Sequence, residues 1–196
     1  MAVDTVRQRL IEAAYLCVSR RGMAKTTVED VARQAGLSRA TAYRAFPGGR
    51  EEILEATVAW AATEFFLGLQ RQVEGAADLE VVMERGLVFA RRSIVDHDVL
   101  QRVMATEPDR LLPALTVESN RIRAGIALFL APYLAERKLA PGLDSADAAD
   151  VLARMILSYI SAPGRWDLED PEQVAVLVRS ELLAGIVAPE RSGKFR

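Results

Sequence analysis

The tightest constraint on the fold lies in residues 26–46, TTVEDVARQAGLSRATAYRAF. Val28, Val31, Ala32 and Ala35 recur at helical spacing, and the pattern stops at Gly36. Thr26 with Glu29 three residues on is a capping-box pattern for the start of that helix. Leu37 then plugs the turn, Ser38 is placed to cap a second helix, and that helix runs to Phe46. Helices this short need neighbours to hold them. The second one is also poor in apolar residues: Leu37, Ala42 and Phe46 can anchor it, while Arg39, Thr41, Tyr43 and Arg44 occupy positions where a core helix would carry Leu or Ile.

The rest of the chain has helical period nearly throughout and lacks paired β-branched runs with Asn-Gly turns, so the expected fold class is all-α, with nine or so helices and no sheet. Val6, Leu10, Ala13, Ala14, Cys17 and Val18 make the stripe of a first helix that stops at Gly22, with Arg20 and Arg21 at the negative end of its dipole. After Pro47-Gly48-Gly49, one long helix is expected from Arg50 to about Gly75, with Ile53, Leu54, Val58, Ala61, Phe65 and Leu69 on one side. Further helices are expected at about 79–95, 98–106, 117–138, 145–161 and 171–185, separated by EPDRLLP, LAPGLD and SAPGRWDLEDP. Asp170-Pro171-Glu172-Gln173 is a strong helix start, which makes the following VAVLV helical although it could pass for a strand. The tail ERSGKFR is expected to fray.

Charge divides the chain unevenly. Residues 1–54 hold nine Lys/Arg against six Asp/Glu, net +3, whereas residues 55–196 hold sixteen against twenty-one, net −5. A basic head on an acidic body suggests that the head meets a polyanion. The longest uncharged run, between Arg123 and Glu136, is twelve residues with Pro132 inside it, too short to span a bilayer. The charged N-terminus does not resemble a signal peptide and Cys17 has no partner for a disulfide, so the chain reads as cytoplasmic with no membrane contact. At 196 residues it is long enough for one substantial core or two smaller ones, here expected as a head over 1–50 and a body over 51–190.

A helix, a Gly turn and a polar second helix are the helix-turn-helix arrangement that places one helix in the DNA major groove. Arg39 and Arg44 can reach guanine edges or phosphates, and Thr41 and Tyr43 can donate hydroxyls to phosphate or touch a thymine methyl. Thr26 and Thr27 can present a hydroxyl and backbone N–H groups to a phosphate, with Arg50 approaching from the other side. Ser38 and Thr26 have plainer roles as caps, and Tyr43 could equally pack against the first helix.

The stretch TTVEDVARQAGLSRATAYRAFPGGREEIL resembles the DNA-binding head of the TetR family of transcriptional repressors, the likeness covering residues 5–55. The resemblance implies an all-helical homodimer that binds a near-palindromic double-stranded operator with its two heads and a small molecule in its body. Carried over by position, it assigns base contacts to Arg39 and Thr41, with Arg44 beside them, and phosphate contacts to Thr27, Ser38, Tyr43 and Arg50. Two departures stand out. Ala42 replaces the Leu often found there, and the family's link of Pro, a small residue and Lys is here Pro47, Gly48, Gly49 and Arg50, which displaces the basic group by one residue.

In the body, Trp60, Phe65, Met83, Leu87, Met104, Ile122, Ile126 and Phe129 are candidate pocket residues, although Met and aromatic stripes of this kind are ordinarily core. Such a cavity would take an apolar or amphipathic effector, with Asn120, Arg121 or Tyr133 as polar groups. The last two helices are apolar nearly all round and need cover on both sides. A second subunit would supply it through Leu152, Met155, Ile156, Tyr159, Val174, Leu177 and Val178, unless the loop carrying Trp166 does so. Asp96-His97-Asp98 is the sole acid and histidine cluster, and consecutive side chains on a helix cannot converge on one metal. No catalytic residues, metal or cofactor are therefore expected, and the function expected is a ligand-responsive regulator, a repressor, rather than an enzyme. A helical small-molecule-binding protein with no DNA role is the competing class.

Overall fold

The computed structural model describes residues 2–76, 78–96 and 108–188, with the backbone alone for 2–4, 108–119 and 121. Helices α1 (Ala2–Arg21), α2 (Val28–Gln34), α3 (Arg39–Ala45), α4 (Gly49–Val73), α5 (Leu79–Val95), α6 (Pro108–Ala135), α7 (Ser145–Ser161) and α8 (Pro171–Leu177) follow in order. The last continues as a π-helical turn, Val178–Leu182. Among the described residues the extended pairing is one antiparallel bridge, Leu139 with Val187. The fold is all-α, as expected.

Two compact units make up the chain, Met1–Gln70 with Ser93–Leu112, and Arg71–Arg92 with Pro113–Arg196. In the first, the inner stripes of α1 and α2 close on Ala42, Ala45 and Phe46 of the α3 segment and on Ile53 of α4, with Val6, Ile11, Leu37 and Ala56 packed around them. Phe46 and Ala42 are 0% exposed, so the small Ala42 lies at a point of close approach. Because Ile53 is part of this core, the head packs past residue 50, the boundary expected from sequence.

Capping chemistry explains where the head helices begin and end. At the end of α2, Gly36 takes φ +64°. The Leu37 N–H donates to Ala32 O at 2.8 Å and the Gly36 N–H to Arg33 O at 3.1 Å, a Schellman closure. Arg9 of α1 donates to the Ala35 carbonyl at 2.7 Å and so satisfies another of the orphaned acceptors. The start of α2 differs from expectation by one residue. Thr27, not Thr26, is the N-cap, accepting from the Asp30 N–H at 3.1 Å, so the box is Thr27 with Asp30. Thr26 is instead 1% exposed and donates its hydroxyl to Gly22 O at 2.8 Å.

In the second unit, α5 buries Leu79, Val82, Met83, Leu87 and Ala90, and α7 buries Ala148, Ala149, Leu152 and Ala153. Asp144 caps α7. Asp170 caps α8 by accepting from the Glu172 N–H at 2.9 Å, and Gln173 donates to its other oxygen at 3.0 Å, which holds its carboxyl below the ordinary range. VAVLV is accordingly helical. One boundary was misread: EPDRLLP contains the start of α6 at Pro108, because the first helical position is where a missing N–H costs nothing. The helix expected at 98–106 lies outside the described residues, as do His97, Asp98 and the tail.

The second unit also corrects the expected dimer contacts. Leu152, Val174, Leu177 and Val178 are 0% exposed in the single chain, so its own fold covers them and they are not on an outer face. Met155, Ile156 and Tyr159 are half-buried, while Val151 and Val176 are 37% and 45% exposed.

Candidate nucleic-acid interface

The polar face of α3 stands on an apolar floor. Ala42 and Ala45 point into the head core, and the intervening positions turn Tyr43 and Arg44 outward, with Arg39 and Ala40 exposed one turn before. Ser38 caps the helix by accepting from the Thr41 N–H at 3.1 Å, and its Oγ lies 2.8 Å from Thr41 Oγ1. Arg44 donates to Thr41 Oγ1 at 3.3 Å. Arg44 has no acceptor and so donates, either hydroxyl can donate between Ser38 and Thr41, and the three side chains form one hydrogen-bonded chain.

Arg39 is held from two sides. Its Nη1 lies 2.8 Å from Glu29 Oε1, on the first turn of α2, and its guanidinium is 5.4 Å from the centre of the Tyr43 ring. Tyr43 foremost and then Glu29 favour its charged form, raising its pKa further above the ordinary value. The sequence pattern gives Glu29 only a capping role; its contact with Arg39 spans ten residues and a turn, which no helical period reveals.

Thr27 is exposed at the head of α2, and its hydroxyl donates to Asp30 Oδ2 at 2.8 Å. Arg21 reaches Asp30 at 2.8 Å and Arg33 also bonds it. The Thr27 hydroxyl, followed by desolvation that opposes it and by Arg21, sets the Asp30 pKa below its usual 3.8. Asp30, Arg21 and Arg33, with Arg20, Gln34 and Cys17, line a cleft of about 210 Å³. Cys17 is buried there, and loss of water raises its thiol pKa, which suits a core residue more than a reactive one.

Two of the sequence-assigned phosphate contacts are placed otherwise. The Thr26 hydroxyl is buried and spent on Gly22 O. Arg50 donates from Nε to Thr26 O at 2.8 Å and from Nη2 to Met23 O at 2.6 Å, and it also pairs with Glu51. The extra glycine lets the chain turn at Gly49, φ +66°, and brings Arg50 back over the α1–α2 turn as a structural clasp. Arg7, unnoticed in the sequence, clasps the other side: it donates to the Ala45 carbonyl, pairs with Glu52 at 3.3 Å and covers the Phe46 ring at 3.9 Å. Glu52 in turn accepts from the Gly48 N–H at 2.9 Å.

The candidate pocket residues are divided between the two units. Trp60 packs edge-on against Tyr15 at 5.5 Å, and Phe65 against Phe66 at 5.5 Å, in the first unit. In the second, Met83 and Leu87 are 3% and Ile126 8% exposed, Phe129 stacks obliquely on Tyr133 at 5.8 Å, and Ile122 is 37% exposed. Met104 and the Arg121 side chain lie outside the described residues.

Residues 10–57 match the sequence pattern of "Bacterial regulatory proteins, tetR family". Residues 10–57 are thus similar to the DNA-binding head of TetR-family regulators. An uncharacterized HTH-type transcriptional regulator of Mycobacterium tuberculosis is 34% identical over 73 residues, covering 37% of each chain. The match thus spans little more than a third of that relative's length. The HTH-type transcriptional regulator AlkX of the same organism is 24% identical over 176 residues, covering 88% of this chain and 83% of that one. The crystal structure of the TetR family repressor AlkX from Dietzia sp. is 26% identical with a TM-score of 0.61, covering 91% of this chain and 96% of that one. The likeness to TetR-family structures therefore extends over the body as well as the head. Among the described residues of this chain, no helix is long and apolar enough to cross a membrane.

Proposed function

We propose that this chain is a transcriptional regulator, acting as a repressor, that binds a near-palindromic operator as a dimer and releases it when an apolar effector enters the body. The observation that carries this reading is the row of exposed Arg39, Tyr43 and Arg44 with half-buried Thr41 among them, set on a core of Ala42, Ala45 and Phe46 behind a Gly turn. Arg39 and Thr41 are the base-reading candidates. Thr27, Ser38, Tyr43 and Arg44 are the phosphate candidates, since Thr26 and Arg50 are engaged in the fold. Dimer contact is assigned to the outer sides of α7 and α8, with Val151, Met155 and Tyr159 at i, i+4 and i+8 and Val176 beyond.

For the effector, apolar chains come first. The similar Dietzia repressor is implicated in biodegradation of n-alkanes, and this chain is similar to it over 91% of its length and has an apolar interior. A coupling of about 1–3 kcal/mol between effector and operator would weaken DNA binding by about 5- to 150-fold. The deciding experiment is a gel shift with DNA from upstream of the chain's own gene, followed by titration of n-alkanes and their alcohols. Salt-sensitive binding at low micromolar protein, reversed by one of these compounds, is the expected result. Absence of DNA binding with a compound-induced rise in melting temperature would favour a helical small-molecule carrier instead.

A further inference from the structure

Two acidic residues open α2, and they are used differently. Asp30 serves the helix start, bonded to Thr27 and gripped by Arg21 and Arg33. Glu29 reaches across the turn to Arg39 on the next helix. That pair adds little to stability, because the two side chains are 48% and 64% exposed. A carboxylate beside a surface that meets a polyanion also weakens binding through repulsion. Its place is better explained by what it does to Arg39. An unrestrained arginine on the face of α3 would take any phosphate within reach. Here one terminal nitrogen is occupied by Glu29 and the planar group is set beside Tyr43, which leaves other N–H donors of the fork for the O6 and N7 of a guanine.

We propose that Glu29 is a specificity-determining residue, holding the Arg39 guanidinium away from the sugar-phosphate backbone and directed at a base edge. This rests on the reading of the head as a DNA-binding module. It also joins the two helices of the motif into one reading element, so that Glu29, Arg39 and Tyr43 act together and not as separate contacts.

The test uses the full chain. Duplexes are first selected from a random library, and binding to the selected duplex and to a non-specific duplex is then measured by fluorescence anisotropy over a salt series, for wild type, Glu29→Gln, Arg39→Ala and the double variant. Glu29→Gln is expected to tighten non-specific binding, to steepen its salt dependence by about one phosphate equivalent, and to lower the ratio of selected to non-specific affinity by about fivefold or more. Repeating the selection with this variant should relax the preference at one base pair per half-site. In the Arg39→Ala background the same change should leave the ratio unmoved. Glu29→Asp, with the charge on a shorter stem, should fall between. Equal tightening on both duplexes would overturn the proposal by reducing Glu29 to bulk charge. A ratio change that persists without Arg39 would overturn it as well. If wild type selects no sequence and shows no salt-sensitive binding, the DNA-binding reading itself fails and the proposal falls with it.

Discussion

Removing the Thr26 hydroxyl would leave the Gly22 carbonyl without its donor inside an apolar site. Thr26→Val is therefore expected to cost about 1–3 kcal/mol of stability in a urea melt, while the folded fraction keeps its DNA affinity. Arg50→Ala separates a clasp from a phosphate contact in the same way. Loss of its bonds to Thr26 O and Met23 O should destabilise the head by roughly 1–3 kcal/mol and leave the salt slope of DNA binding unchanged. A phosphate contact would instead lower that slope by about 0.9. Acid should also act through a single residue. The Asp30 pKa is depressed below 3.8 in the folded head, so its stabilising contribution is present above that value and is lost as pH falls through it towards the folded pKa. Asp30→Asn, which removes the titrating carboxyl, should flatten the acid limb of a pH-dependent melting curve, and an unchanged limb would remove Asp30 from the account.

At the scale of the element, the junction between α3 and α4 is the most constrained. Gly49 has φ +66°, and a Cβ there would meet Tyr43 Cε1 at 3.2 Å. Gly49→Ala should therefore lower stability by about 1 kcal/mol or more through backbone strain alone. It should also weaken DNA binding, since the displaced ring is the one beside Arg39. Melting temperature and anisotropy on one preparation check both effects. The periodic stripes of α1 and α2, the Gly36 stop and the Asp170 start were legible in the sequence because each depends on residues within one turn of each other. The start of α2 was displaced by one residue since Thr26 and Thr27 are the same side chain, and only the path of the chain decides which is swallowed by the core. Pro108 was read as part of a break because a proline that opens a helix and one that ends it look alike without the backbone.

For the whole molecule, burial decides between readings that composition leaves open. The apolar face of α8 and its π-turn is already covered by its own chain, so an interface has to be made by what remains outside. Val151→Asp combined with Val176→Asp should convert the proposed dimer to a monomer in sedimentation equilibrium without loss of helix content by circular dichroism. Variants in the buried Leu152 or Val174 would unfold the body instead, at about 2–5 kcal/mol for truncation of the leucine. Sequence alone determined the helical class, the order of the head helices and the outward set Arg39, Thr41, Tyr43 and Arg44, because all of these follow from spacing along a helix and from turn chemistry. Only the tertiary structure decided that Thr26 is buried, that Arg50 and Arg7 clasp the head, and that Glu29 restrains Arg39. The Glu29, Arg50 and Arg7 contacts join residues 10 to 45 positions apart, set by how helices pack and where a turn aims the next one, and no local period records them.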